Sequence, residues 1–327
     1  MERIKVGIIG GAGYTGGELI RLLLIHPNIS IQFIHSRSNA GKHIAAVHED
    51  LLDASELFFT NEITTDVDVM YLCLGHGESK HFLISNNIPQ KVKIIDLTND
   101  FRLNGTLLEA DRNFVYGLPE IHKQKIKSSN SIANPGCFAT AIQLSLLPLI
   151  NNISLSDVYI TGITGSTGAG QSLNNTSHFS WRANNIQPYK TLVHQHLDEI
   201  VLNIQSFQPT IQKQDIHFVP WRGDFTRGIF TTSQVKTDVS LEKVYQWYEN
   251  YYRDHPFTII SREAIHLKQV VNTNKCILHL ESDNNTLVIH AAIDNLIKGA
   301  VGQAIQNMNL MFDLPETTGL VLKASYF

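Results

Sequence analysis

Of the three cysteines in this chain, one stands in a context that suggests chemistry. Cys137 follows Asn134-Pro135-Gly136 and precedes an apolar stretch, Ala139 to Leu149, that reads as a helix. A thiol in the first residues of a helix meets the positive end of the aligned peptide dipoles. That field favours the thiolate, and the cysteine N–H is placed to bind an oxyanion. Cys73 and Cys276 sit inside apolar runs and read as core residues. A cysteine nucleophile wants a base. His194-Gln195-His196 lies 57 and 59 residues downstream, with Asp198 and Glu199 adjacent to orient an imidazole. A His-x-His pair also raises metal binding. In a helix, however, its members point roughly 200° apart, and no further ligands of matching spacing accompany it. No metal is expected.

A second chemical feature begins at residue 10. Gly10-Gly11-Ala12-Gly13-Tyr14-Thr15-Gly16 follows a short apolar strand, Ile4 to Ile9, and leads into Glu18 to His26, where Leu19, Leu22 and Leu23 recur at helical spacing. Glycines between strand and helix allow a tight turn and close approach of a pyrophosphate to the helix N-terminus. The next strand, Ile31 to His35, ends in Ser36-Arg37-Ser38. A site for NAD usually carries an acid here, for the ribose hydroxyls. An arginine between two hydroxyls suits a 2′-phosphate, so NADP(H) is the expected cofactor.

These groups need elements to hold them. Strand, glycine turn, helix and strand make one βαβ unit, which implies a parallel sheet. Val67 to Leu74 and Val92 to Leu97 fit as further strands. After the Asn-Pro-Gly turn the pattern changes. Short strands at Val158–Ile160, Asp215–Val219 and Ile229–Val235, a helix at Leu241–Tyr252, and two strands flanking Asp283-Asn284-Asn285 indicate an α+β domain with an antiparallel sheet. The expected fold is α/β, a Rossmann dinucleotide-binding domain plus an α+β catalytic domain with a mixed, largely antiparallel sheet. The expected boundaries are 1–136 with 295–327 for the first and 137–294 for the second. The aromatics Tyr245, Trp247, Tyr248, Tyr251 and Tyr252 fit either an interface or the inner face of a helix.

Composition narrows the partners. The 327 residues carry 26 Lys+Arg and 30 Asp+Glu, a formal charge of −4, which gives no global attraction for nucleic acid. At 43 % hydrophobic and 17 % charged the chain can bury a core. No apolar run is long enough to span a bilayer, and the N-terminus does not read as a signal peptide. A cytoplasmic location is expected.

Several motifs together resemble one family. Gly10-x-x-Gly13-Tyr14-Thr15-Gly16-x-Glu18-Leu19, Asp96-Leu-Thr-Asn-Asp100-Phe-Arg102, Tyr116-Gly-Leu-Pro-Glu120, Asn134-Pro-Gly-Cys137, His194-x-His196-x-x-Glu199, Thr226-Arg227-Gly228 and Asp294-Asn295-Leu-Ile-Lys298-Gly299 occur in order. The combination is similar, from end to end, to the N-acetyl-gamma-glutamyl-phosphate reductases of arginine biosynthesis. The resemblance implies NADPH-dependent reduction of an acyl phosphate to N-acetyl-glutamate 5-semialdehyde through a cysteine thioester. Cys137 matches the nucleophile and His194 the catalytic base. His196 and Glu199 match residues lining the substrate site, and Asn295 a position near the nicotinamide. Gly10, Gly13, Tyr14, Thr15 and Gly16 fall in the cofactor turn. Arg102 and Arg227 are candidates for substrate anion contacts. A homo-oligomer, dimer or tetramer, is implied as well.

Three segments depart from the family pattern. Ser-Gly-Ala-Gly-Arg becomes Thr167-Gly-Ala-Gly-Gln171. Gly-His-Arg-His-x-Pro-Glu becomes Val193-His-Gln-His-Leu-Asp-Glu199. Pro-His-Leu-Val-Pro-Met becomes Pro220-Trp-Arg222-Gly-Asp-Phe225. Two arginines leave and Arg222 arrives. This charge placement raises the expectation of an N-succinyl substrate, its extra carboxylate meeting Arg222, against neutral repacking of a loop. Other rivals are the aspartate or carrier-linked aminoadipate semialdehyde dehydrogenases, and an NADP-sensing Rossmann protein in which Cys137 is dispensable.

Overall fold

The computed structural model describes residues 3–173 and 175–326. Two compact units divide the chain. The first comprises Met1–Pro135 and Ala300–Val321, the second Gly136–Gly299 and Leu322–Phe327. Residues 295–299 and 322–327, assigned from sequence to the dinucleotide domain, therefore group with the second unit. Local bonds explain the shift: Asn295 Oδ1 accepts the Gly228 N–H, and Ser325 N–H donates to Val271 O.

The first unit is built on a seven-stranded sheet. Its strands run in the order Phe59–Thr60, Ile29–His35, Ile4–Ile9, Val69–Leu72, Lys93–Asp96, Ser131–Ala133 and Val115–Tyr116. Every pairing is parallel. Parallel strands buried on both faces read as unbroken apolar runs, as Val69–Leu72 does. Helices Tyr14–Leu24, Glu78–Ser85, Pro119–Lys127 and Gly302–Met311 belong to this unit. The last is held by buried amides. Asn307 Nδ2 donates to Gly117 O at 2.8 Å, and Asn309 Oδ1 meets His26 Nε2 at 3.1 Å.

The second unit has a mixed seven-stranded sheet in the order Gln187–Pro188, Ile216–Arg222, Val158–Thr164, Ile229–Lys236, Thr286–Ile293, Cys276–Asp283 and Thr258–Ser261. The Val158–Thr164/Ile216–Arg222 and Thr258–Ser261/Cys276–Asp283 pairs are parallel, and the rest antiparallel. Helix Cys137–Ile150 is buried at every residue after the first. Pro148 inside it leaves the Leu144 carbonyl without its usual i+4 donor. The Tyr252 hydroxyl takes that place, and the Tyr248 hydroxyl donates to Ser145 O. Tyr245, Tyr248 and Tyr252 are thus the inner face of helix Leu241–Tyr252.

Candidate active site

Cys137 is the first residue of helix Cys137–Ile150, as the Pro-Gly turn requires. Gly136 is its N-cap, with extended backbone and no side-chain cap. The first intrahelical bond comes from Thr140 N–H to Gly136 O at 2.8 Å, so the N–H groups ahead of it point out of the helix end. Glycines bring neighbours close to the thiol. A Cβ at Gly299 would stand 2.7 Å from Cys137 Cβ, and one at Gly136 would stand 2.4 Å from His196 Nε2 and 2.6 Å from Glu199 Oε1. Glu199 Oε2 accepts the Gly136 N–H at 3.1 Å, and its other oxygen lies 3.9 Å from His196 Nε2. Glu199 and His196 therefore grip the turn that presents Cys137.

His194 sits just before helix His196–Gln205, so the helical separation expected of His194 and His196 does not apply. Their rings meet edge-on with centroids 4.6 Å apart. The Phe138 ring, next in sequence to Cys137, contacts both imidazoles at 5.8 and 6.4 Å. His194 Nδ1 accepts the His196 N–H. That bond assigns the neutral tautomer, with the proton on Nε2. Burial, then the Lys190 charge, pulls the His194 pKa down to about 4, so the ring is neutral at pH 7. Asp198 bonds Lys213 and takes no part in orienting the imidazole. Among the described residues no group of three or more His, Cys, Asp or Glu is arranged to hold a metal.

Tyr189 also belongs to this site. Its ring lies 5.6 Å from His194 and 4.8 Å from the Arg222 guanidinium carbon. Burial raises its pKa first and the Cys137 charge raises it further, while Arg222 opposes them. Nothing in the sequence near Pro188-Tyr189 marks it; only its pairing beside Ile216–Arg222 brings it here.

The other candidate anion contacts have partners within the fold. Arg102 Nε donates to Asn134 O at 2.9 Å and Nη2 to Leu97 O at 3.2 Å, which ties down the backbone before Pro135. Arg227 pairs with buried Asp294 at 3.1 Å. Asn295 Oδ1 accepts the Gly228 N–H and its Nδ2 donates to Thr167 Oγ1, bracing the Thr167-Gly168-Ala169-Gly170 segment. Asp100, from the same motif as Arg102, caps helix Glu78–Ser85 through Gly77 N and Lys80 N.

In the first unit a cavity of about 700 Å³ is lined by Gly10, Gly13, Ser36, Arg37 and Ser38, with Leu74 and Phe82 as apolar wall. The turn fits a dinucleotide. A Cβ at Gly13 would meet nothing within 4 Å, so the open N-terminus of helix Tyr14–Leu24 can receive a pyrophosphate. Gly10 has φ +80°, and a Cβ at Gly16 would strike Gly11 O at 2.4 Å. Tyr14 and Thr15 form the first turn of that helix outside the cavity lining, with Tyr14 exposed. Arg37 is exposed, opens a 3-10 turn, and has no carboxylate partner among the described residues.

Residues 5–129 match the semialdehyde dehydrogenase NAD binding domain, and residues 137–295 the semialdehyde dehydrogenase dimerisation domain. The N-acetyl-gamma-glutamyl-phosphate reductase of Flavobacterium johnsoniae is 54 % identical over 325 residues, covering 99 % of this chain and 100 % of that protein. The chain belongs to this reductase family. A family member from Bacteroides thetaiotaomicron is 53 % identical over 326 residues, again covering 99 % of this chain and all of its own. Among solved structures, aspartate semialdehyde dehydrogenase II of Vibrio cholerae superposes with a TM-score of 0.74 at 16 % identity, over 96 % of this chain and 99 % of that one. The Candida albicans enzyme, solved with NADP, gives 0.68 at 14 % identity over 95 % and 99 %. These two establish the fold shared with the family.

Proposed function

We propose that the chain is an NADPH-dependent N-acyl-gamma-glutamyl-phosphate reductase working through a thioester on Cys137. The observation that carries this reading is the surround of Cys137. The residues on either side of it, Gly136 and Phe138, both pack on His194, His196 or Glu199. The names of the relatives supply the substrate, N-acetyl-gamma-glutamyl phosphate, and a role in arginine biosynthesis.

The chain's own groups account for each step. The Cys137 thiolate attacks the γ-carbonyl carbon, and the C–O bond to phosphate breaks, its electron pair leaving with the phosphate. The thioester oxygen points to N–H groups at the helix start, which stabilise the tetrahedral states on both sides of the intermediate. Bound NADPH supplies hydride, with Gly10, Gly13, Ser36, Arg37 and Ser38 as the residues to hold it. Neutral His194, with its proton on Nε2, donates a hydrogen bond to the developing alkoxide and keeps its proton. Collapse of that species expels the thiolate and releases the semialdehyde. A serine ester would accept hydride less readily than a thioester does.

The dimerisation-domain match supports a homo-oligomer. No helix among the described residues is long and apolar enough to cross a membrane, in keeping with a cytoplasmic biosynthetic role. The test is phosphate-dependent reduction of NADP by N-acyl-glutamate semialdehydes. Wild type is expected to turn over and Cys137→Ser to lose the activity. Iodoacetamide labelling of Cys137 ahead of Cys73 and Cys276, blocked by acyl phosphate, excludes a cofactor sensor with an idle thiol. Turnover of aspartate semialdehyde in place of the glutamyl compounds would overturn the substrate assignment.

A further inference from the structure

Among the described residues, the second unit carries two guanidinium groups withdrawn from solvent that its own carboxylates leave unanswered. Arg182 closes the short helix Phe179–Arg182 and is 9 % exposed. Its Nε and Nη2 are buried without a hydrogen-bond partner, and among the described residues it forms no ion pair. Arg222 ends the strand Ile216–Arg222 and is half-buried; its guanidinium also meets Tyr189, but its buried Nε likewise has no partner. Leaving charged donors buried and unanswered is costly unless an anion arrives to meet them. Of the other arginines in the unit, Arg227 is neutralised by Asp294 and Arg262 by Glu242 and Glu249, while Arg253 is exposed to solvent and bonds Asn250.

The backbone sets the order of these groups relative to the thiol. Residues 184–189 are laid antiparallel along 220–224. Tyr189 N–H bonds Pro220 O, Pro188 pairs with Trp221, Gln187 pairs with Arg222, and Asn184 N–H bonds the exposed carboxylate of Asp224 at 2.6 Å. Tyr189 marks the end of this ribbon beside His194 and the Cys137 charge. Arg222 follows it, and Arg182 lies beyond. An acyl-glutamyl phosphate held by its γ-carbon at Cys137 has its phosphate and α-carboxylate near the thiol and its N-acyl group farthest away. An acetyl group offers nothing to a distant guanidinium. A succinyl group ends in a carboxylate.

We propose that Arg222, on one arm of this ribbon, and Arg182, just beyond the end of the other, form a carboxylate subsite for the N-acyl group. The preferred substrate is then a dicarboxylic half-amide of the succinyl class instead of the acetyl compound. Arg222 is the nearer contact and Arg182 the anchor of the terminal carboxylate. A planar guanidinium suits such bidentate recognition. The proposal rests on the reductase reading above.

Steady-state kinetics with NADP, phosphate and either N-succinyl- or N-acetyl-glutamate 5-semialdehyde test it. The expected result is a kcat/KM for the succinyl compound at least about tenfold higher, because a site built around buried donors rejects a ligand lacking their acceptor. Arg182→Gln is expected to lower the succinyl-to-acetyl ratio by about tenfold or more, with Arg182→Lys between. Equal or better kcat/KM with the acetyl compound in wild type overturns the proposal. So does an equal loss on both substrates in Arg182→Gln, since that arginine would then serve a group common to both. Should Arg182→Gln fail to fold, Arg222→Gln and the wild-type selectivity still decide. Calorimetry of N-succinyl-glutamate against N-acetyl-glutamate on Cys137→Ser reads the same selectivity without turnover, with the succinyl compound expected to bind tighter and equal binding counting against the subsite. Absence of turnover with both semialdehydes, together with succinyl selectivity in that binding measurement, would mark a failure of the reductase reading rather than of the subsite.

Discussion

Gly13 and Gly136 open two helices in the same way and for different ends. Each is an N-cap with extended backbone and no side-chain cap, and each follows a strand of the parallel sheet by a short turn. At Gly13 the end is left open, with nothing within 4 Å of the position a Cβ would take and a cavity in front. At Gly136 the end is closed down by His196 and Glu199, and the next residue is a thiol. The same dipole and N–H geometry thus serves binding in one place and chemistry in the other. What differs is the side chains the surrounding fold brings to it.

The comparison can be broken most forcefully at the thiol. Cys137→Ala is expected to reduce kcat by roughly 10³-fold or more while NADPH binding, followed by cofactor fluorescence, persists. Loss of both together would mean the two helix ends are not separable. Next comes Gly136→Ala. Its new methyl has no room against His196 and Glu199, so kcat should fall by about 100-fold, with a lower melting temperature. Gly13→Ala has the room its counterpart lacks and is expected to fold normally, with the effect confined to KM for NADPH.

A smaller effect should come from Arg37→Gln. Removing a charge-assisted contact to a 2′-phosphate is expected to raise KM for NADPH by about tenfold and leave that for NADH nearly unchanged. Equal change in both would remove Arg37 from cofactor choice. The mildest test is pH. With the His194 pKa at about 4, its ring stays neutral as pH falls through 6.5, and activity is lost only as pH approaches 4. The unfolded chain, with an ordinary histidine, binds the proton earlier, so the stability tied to this group declines between about 6.5 and about 4. Lys190→Gln removes the secondary cause and should move the acid limb of kcat slightly upward.

How much of this could be read from sequence depended on distance along the chain. The Gly10–Gly16 turn and Cys137 are local patterns, strand to glycine to helix, and their geometry follows from backbone rules. The parallel sheet followed from the same βαβ signal. Arg102, Arg227 and Asn295 resisted reading because an arginine or amide takes its meaning from its partner, and those partners, Asn134 O, Asp294, and Thr167 with Gly228, are set by tertiary packing. Tyr189 and Arg182 carry no local sequence signal, for a related cause. Their segment has a strand of only two residues, Gln187–Pro188, whose place beside Arg222 no periodicity reveals. Cys73 shows the converse. Its apolar run alone marked it as core, and burial, then the Asp96 charge, pushes its thiol up to about 12.

Formation of the thioester on Cys137 can be observed without steady turnover. Wild-type enzyme mixed with NADP and N-acyl-glutamate semialdehyde in the absence of phosphate should release one burst of NADPH, about one per chain. Mass spectrometry of the quenched protein should find the acyl group on the peptide holding Cys137. Addition of phosphate should discharge it. No burst, or an acyl group on Cys73, on Cys276 or on no cysteine, would show that Cys137 does not carry the acyl group.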